Sequence, residues 1–167
     1  LEAAGIEVTE DPTEAKSVFA GLDRQTTYGR MRDAASAVLR GARFIATNTD
    51  LTFPTPDGLW PGGGALAAVV ELTAGVAPEI AGKPHDPMRE AVAARLGPGP
   101  TWMVGDRAET DVAFGIAAGW STVLVLSGVT SDPEQIPPEY PPDLIVGSVA
   151  DVPEALRRFS AGEADPR

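Results

Sequence analysis

The sequence predicts an α/β fold, and three observations carry that prediction. Short apolar runs alternate with stretches of helical spacing along most of the 167 residues. The later runs, TWMV at Thr101–Val104 and STVLVL at Ser121–Leu126, are of the buried type that a doubly wound parallel sheet contains. Gly 18 and Pro 16 together make a chain that turns often.

Taken in order, Ser17–Leu22 (SVFAGL) reads as a strand. Tyr28–Leu39 places Met31, Ala34, Ala35, Val38 and Leu39 at helical spacing. Arg43–Ala46 is a second strand, and residues 47–64 form a loop with three prolines and four glycines. A helix over Ala65–Thr73 and a short strand over Glu79–Ala81 follow. Asp86–Leu96 is helical, with Pro87 suited to the first turn. After the strand Thr101–Val104 comes a tight Gly-Asp-Arg turn, then a helix over Glu109–Ala118 stopped by Gly119. Ser121–Leu126 and Leu144–Val146 are strands, Val152–Phe159 is a last helix, and Ser160–Arg167 is expected to fray. A shift in composition places a boundary near Gly75, giving units of residues 1–75 and 76–159 and a tail of 160–167.

Composition narrows the function. Hydrophobic residues make up 43% of the chain, enough to build a core. A net charge of −11 opposes a nucleic-acid partner and favours solubility and cations. The absence of cysteine excludes disulfides, zinc–thiolate sites and thiol catalysis. No apolar run approaches the roughly 20 residues that span a bilayer, so no membrane partner is expected. Leu1–Ala4 carries no signal-type leader, so a cytoplasmic location is the expectation. The chain begins at Leu1 rather than Met, which hints at a missing upstream piece.

The chemistry concentrates downstream. Met103–Asp111 (MVGDRAETD) takes a strand through Gly-Asp into a helix start. Ligands of open parallel sheets bind beyond the carboxyl ends of the strands, which is where Asp106 lies, and Asp111 follows within the first helical turns. Two carboxylates there suit a hard cation such as Mg²⁺. The plainer alternative is that Asp106 caps the helix and Asp111 decorates its first turn. Lys83, in Gly82-Lys83-Pro84, reaches the same edge and could hold a phosphate or neutralise carboxylates. Surface lysines are usually only solvated, but this chain has 11 Arg and only two Lys, Lys16 and Lys83. His85 next door fits a loop or N-cap role better than a catalytic one.

Gly82-Lys83-Pro84, Gly105-Asp106-Arg107 and Thr110-Asp111 together resemble two motifs of the haloacid dehalogenase superfamily, more closely its NagD-like branch of p-nitrophenylphosphatases and phosphoglycolate phosphatases. Val18–Asp23 with Thr27-Tyr28, then Ala46–Asp50, then Pro61–Gly64 resemble the cap of that branch, in order and at family-like spacing. The resemblance spans about residues 5 to 158. It implies a C2-type α/β cap followed by the C-terminal part of a Rossmann-like parallel-sheet core. It also implies phosphomonoester hydrolysis through an aspartyl-phosphate, with Mg²⁺ as cofactor and a small phosphorylated metabolite as substrate. By matching position, Asp106 is the side-chain metal ligand and Lys83 bridges phosphate and nucleophile. Asp111 stands at the metal or behind its bound water. The loop from Asn48 to Trp60, with Asn48 and Asp50 at its start, faces the substrate. A homodimer through the cap also fits the resemblance.

One departure matters. The family's nucleophile sits in an Asp-x-Asp strand end, and no two aspartates of this sequence stand two residues apart. The isolated chain is therefore expected to be inactive alone. Phe44–Thr52 imitates that motif with Asn48 in the nucleophile's place, which would make the chain a complete pseudoenzyme, but it leaves the glycines at 62–64 unexplained. The rival to an enzyme part is a non-catalytic α/β binding or dimerisation module.

Overall fold

Each of the two parallel sheets in this computed structural model ends its strands at loops that carry the predicted site residues. The structure describes residues 1–162, so the tail expected to fray lies largely outside the described residues. Contacts divide the chain into two units, Leu1–Gly82 and Lys83 onward.

The first unit contains strand β1 (Ser17–Ala20), helix α1 (Tyr28–Leu39), strands β2 (Arg43–Ala46), β3 (Thr52–Thr55) and β4 (Gly58–Pro61), helix α2 (Gly63–Ala74) and strand β5 (Glu79–Ile80). The sheet runs β1-β2-β5, all parallel, with Val18 opposite Phe44 and Ala46 opposite Ile80. The pairing of β5 with β2 carries this unit past Gly75 to Gly82. Thr27 starts α1 by accepting the Arg30 N–H at 3.2 Å, the ordinary N-cap bond. Ala35 and Val38 of α1 pack with Phe44, Ala46, Ala67 and Val70 into one buried cluster.

The proline- and glycine-rich stretch expected to be a loop instead holds an antiparallel hairpin of β3 and β4, with Phe53 opposite Trp60. Its turn is Thr55-Pro56-Asp57-Gly58, with Gly58 at φ 115°. That is a positive φ which a side chain would resist.

The second unit contains helix α3 (Asp86–Ala93), strand β6 (Trp102–Gly105), helix α4 (Ala113–Ala118), strands β7 (Ser121–Val125) and β8 (Leu144–Val146) and helix α5 (Val152–Ser160). Its sheet runs β6-β7-β8, again all parallel. Val123 and Val125 of β7 pack with Leu144 and Val152, while Leu124 packs with Ala108 and Val112. β7 is thus covered on both faces, as its unbroken apolar run requires. Trp102 meets Phe159 edge-on at 5.0 Å between ring centres.

Two features of this unit had no sequence signal. The helix expected over Glu109–Ala118 opens as a π-helical turn, Ala108–Val112, before α4 begins. Asp143 secures β7 from the side: its Oδ2 accepts the Thr122 N–H at 2.7 Å and the Thr122 hydroxyl at 3.1 Å, and its own N–H donates to Thr122 Oγ1 at 3.0 Å.

Candidate active site

Strand β6 delivers Asp106 to the carboxyl end of the second unit's sheet. The chain then swings through Arg107 into the π-helical turn. In that turn the Ala113 N–H donates to the Ala108 carbonyl five residues back. This wider winding is frequent at functional sites. Asp111 lies inside it and is buried, 5% exposed.

Both oxygens of Asp111 are engaged within the chain. Oδ2 accepts the backbone N–H groups of Asp106 and Arg107, each at 3.1 Å. Oδ1 takes the Lys83 ammonium at 2.5 Å, a short charge-assisted bond. One carboxylate therefore fixes the turn that presents Asp106 and the lysine beside it. The approach is close: a Cβ on Gly105 would fall 2.3 Å from Asp111 Cβ, Cγ and Oδ2. Gly105 is needed for contact rather than for backbone freedom.

Asp106 is half-buried. Its Oδ2 accepts the Val129 N–H at 2.8 Å, and its carbonyl accepts the Thr130 N–H at 2.9 Å. The segment after β7 thus reaches back to the end of β6. Sequence reasoning passed over this contact; its one visible signal is Gly128 close behind a buried strand.

Lys83, Asp106 and Asp111 are thus brought together in one unit. Asn48 and Asp50 are brought together in the other, in the loop leaving β2. The Gly64 N–H donates to the Asp50 carbonyl at 2.9 Å. A Cβ on Gly62 would fall 2.2 Å from the Asp50 carbonyl oxygen, and one on Gly63 would fall 2.8 Å from Asn48 Oδ1. The glycines at 62–64 therefore let the start of α2 press against residues 48–50. Asn48 Oδ1 is buried and accepts no hydrogen bond among the described residues. His85 precedes α3 without a side-chain capping bond. Trp60 packs under the Arg24 guanidinium, 4.9 Å from the ring centre, so it is an element of the first unit's own packing.

Among the described residues no cluster of three or more His, Cys, Asp or Glu side chains could cage a metal. The donor set still fits Mg²⁺. That ion is commonly held by one or two carboxylates, with waters and substrate phosphate filling its other positions. Asp106 offers such a carboxylate, since its Oδ1 accepts no hydrogen bond among the described residues.

Residues 80–152, which include all three of these side chains, match the HAD-hydrolase-like family. The chain belongs to the haloacid dehalogenase superfamily. Its relatives place it in the NagD-like branch. It is 38% identical over 144 residues to dihydroxyacetone phosphatase of Corynebacterium glutamicum (strain R), covering 84% of this chain and 52% of that protein. It superimposes on p-nitrophenyl phosphatase from Archaeoglobus fulgidus with a TM-score of 0.80 at 38% identity, covering 93% of this chain and 62% of the other. A magnesium complex of glycerol phosphate phosphatase from Mycobacterium tuberculosis matches at TM-score 0.75 and 33% identity, over 83% of this chain and 43% of that one. The chain spans about half the length of the curated relatives it matches. No helix among the described residues is long and apolar enough to cross a membrane.

Proposed function

We propose that these residues form the phosphate- and metal-handling part of a Mg²⁺-dependent phosphatase acting on a small phosphate monoester through an aspartyl-phosphate. The observation that carries this reading is the shared anchor. Asp111 holds the Lys83 ammonium with one oxygen and the Asp106 turn with the other. A cation for phosphate oxygens and a carboxylate for a metal are thereby fixed side by side.

The roles follow from what each group can do. Lys83 is 41% exposed at its side chain, so its remaining ammonium protons are available to an anionic phosphoryl oxygen. Asp111 keeps that ammonium aimed and so acts as a positioning residue; its two engaged oxygens leave Asp106 as the better direct metal ligand. When bound at Asp106, Mg²⁺ would neutralise and orient the transferring phosphoryl group. The nucleophile comes from a strand outside these 167 residues. Its carboxylate oxygen forms the bond to phosphorus as the ester P–O bond breaks, the leaving alkoxide takes its proton from the second aspartate of that same Asp-x-Asp segment, and water then cleaves the acyl phosphate, releasing inorganic phosphate and restoring the carboxylate. Two features of the second unit support a place for that strand. Among the described residues β6 pairs on one side only. A cavity of about 320 Å³, lined in part by Lys83, Met88, Val92, Trp102 and Met103, adjoins that strand. The first unit, with Asn48 and Asp50, serves as the cap that shapes substrate choice. Relatives named for dihydroxyacetone, glycerol phosphate and p-nitrophenyl phosphate support a small ester.

The test is Mg²⁺-dependent hydrolysis of p-nitrophenyl phosphate. The chain alone should show none. Fusion to, or mixing with, a segment bearing Asp-x-Asp should give turnover that Asp106→Ala and Lys83→Ala each remove. Turnover by the chain alone that survives Asp106→Ala would overturn the assignment.

A further inference from the structure

We infer that the segment Gly128–Thr130 is the positioning device for Asp106, and that Gly128 is glycine because of that carboxylate. The inference rests on the reading of Asp106 as the metal ligand. Two consecutive N–H groups of this segment grip one residue at two points. Val129 donates to Asp106 Oδ2 at 2.8 Å, and Thr130 donates to the Asp106 carbonyl at 2.9 Å. Thr130 is itself buried, 7% exposed, so the grip is anchored from below. With the main chain and one carboxylate oxygen both held, the side chain has little rotation left. Oδ1 is then the oxygen that faces a ligand.

Gly128 lies against the same group. A Cβ there would fall 2.0 Å from Asp106 Oδ2, 2.4 Å from its Cβ and 2.5 Å from its Cγ. All three nearest atoms belong to Asp106. The φ of Gly128 is not in the positive region, so its backbone does not call for glycine. The nearest obstruction is the Asp106 side chain. Gly105 stands in the same relation to Asp111, so each carboxylate of the pair rests directly on a glycine.

A residue that orients a metal ligand typically changes affinity by about 10–100-fold when altered. Mg²⁺ binding to the chain, followed by calorimetry, should therefore weaken by that factor in Gly128→Ala. The second readout is amide hydrogen exchange by NMR. Asp106→Ala should lose protection at Val129 and keep it at Thr130, whose acceptor is main chain; Gly128→Ala should lose protection at both. Unchanged exchange and affinity in Gly128→Ala would overturn the inference. Should Gly128→Ala fail to fold, the pair Gly128→Ala with Asp106→Gly decides. Recovery of folding supports the contact as the cause, and continued failure overturns it. If the unaltered chain binds no Mg²⁺, the metal reading fails, while the exchange pattern still judges the grip by itself.

Discussion

Removing the Asp111 carboxylate should separate its two tasks. In Asp111→Asn the amide carbonyl can still accept the N–H groups of Asp106 and Arg107, but the NH₂ then confronts the Lys83 ammonium. That ammonium is 41% exposed at its side chain and can return to water, so the loss is about 1–2 kcal/mol. In Asp111→Ala both N–H groups lose their acceptor as well. Each bond to a charged acceptor is worth about 1.5 kcal/mol or more, and water recovers part of it because Asp106 and Arg107 are only half-buried. The expected total is about 3 kcal/mol, roughly 1–2 kcal/mol beyond the Asn variant. Urea unfolding of the two variants, with unchanged slope, measures the difference. Equal midpoints for Asn and Ala would refute the view that Asp111 supports the turn, and an unchanged midpoint for Asn would refute its hold on Lys83.

Gly82→Ala should destabilise the first unit by about 1–3 kcal/mol, since a Cβ there would meet the Thr47 carbonyl oxygen at 2.0 Å; thermal unfolding followed by circular dichroism reads it. Phe114→Ala empties a position that is 2% exposed and edge-on to Trp120 at 5.5 Å. It should cost about 3–5 kcal/mol in a urea titration. Arg43 holds Glu79 across β2 and β5 by a hydrogen bond that lowers the Glu79 pKa below the ordinary glutamate range. A lowered folded-state pKa contributes stability present above the unfolded value and lost as pH falls through the folded one. Glu79→Gln should therefore be slightly less stable than the parent near neutral pH and indistinguishable from it in strong acid, a small difference because both side chains are exposed.

Most of the element order was legible because periodicity and caps agreed. Helix α1 has its apolar spacing in one stretch, α4 has its Gly119 stop, and β7 is an unbroken apolar run. The β3–β4 hairpin was missed because Pro54, Pro56 and Pro61 argued for a loop, although Thr55-Pro56-Asp57-Gly58 carries a turn signature between its strands. The π-helical turn could not be seen, since five residues are too few to show a changed period. In the candidate site, the gathering of Lys83 and Asp106 at one strand end was legible from punctuation and from the family likeness. What the sequence could not show was pairing at a distance. The bond from Lys83 to Asp111 spans 28 positions and that from Val129 to Asp106 spans 23, and no local pattern encodes either. Asp143, joined to Thr122 from 21 positions away, was hidden for the same reason.

Gly105 and Gly128 are moulds of the two carboxylates they touch. A chain that exchanged either aspartate for a smaller residue would relieve the close contact on the glycine beneath it. The reverse order is the costlier one, because a side chain arriving first would strike the aspartate. Loss of such a contact is therefore less strained in one order, acid before glycine, and in this chain both moulds and both casts are present.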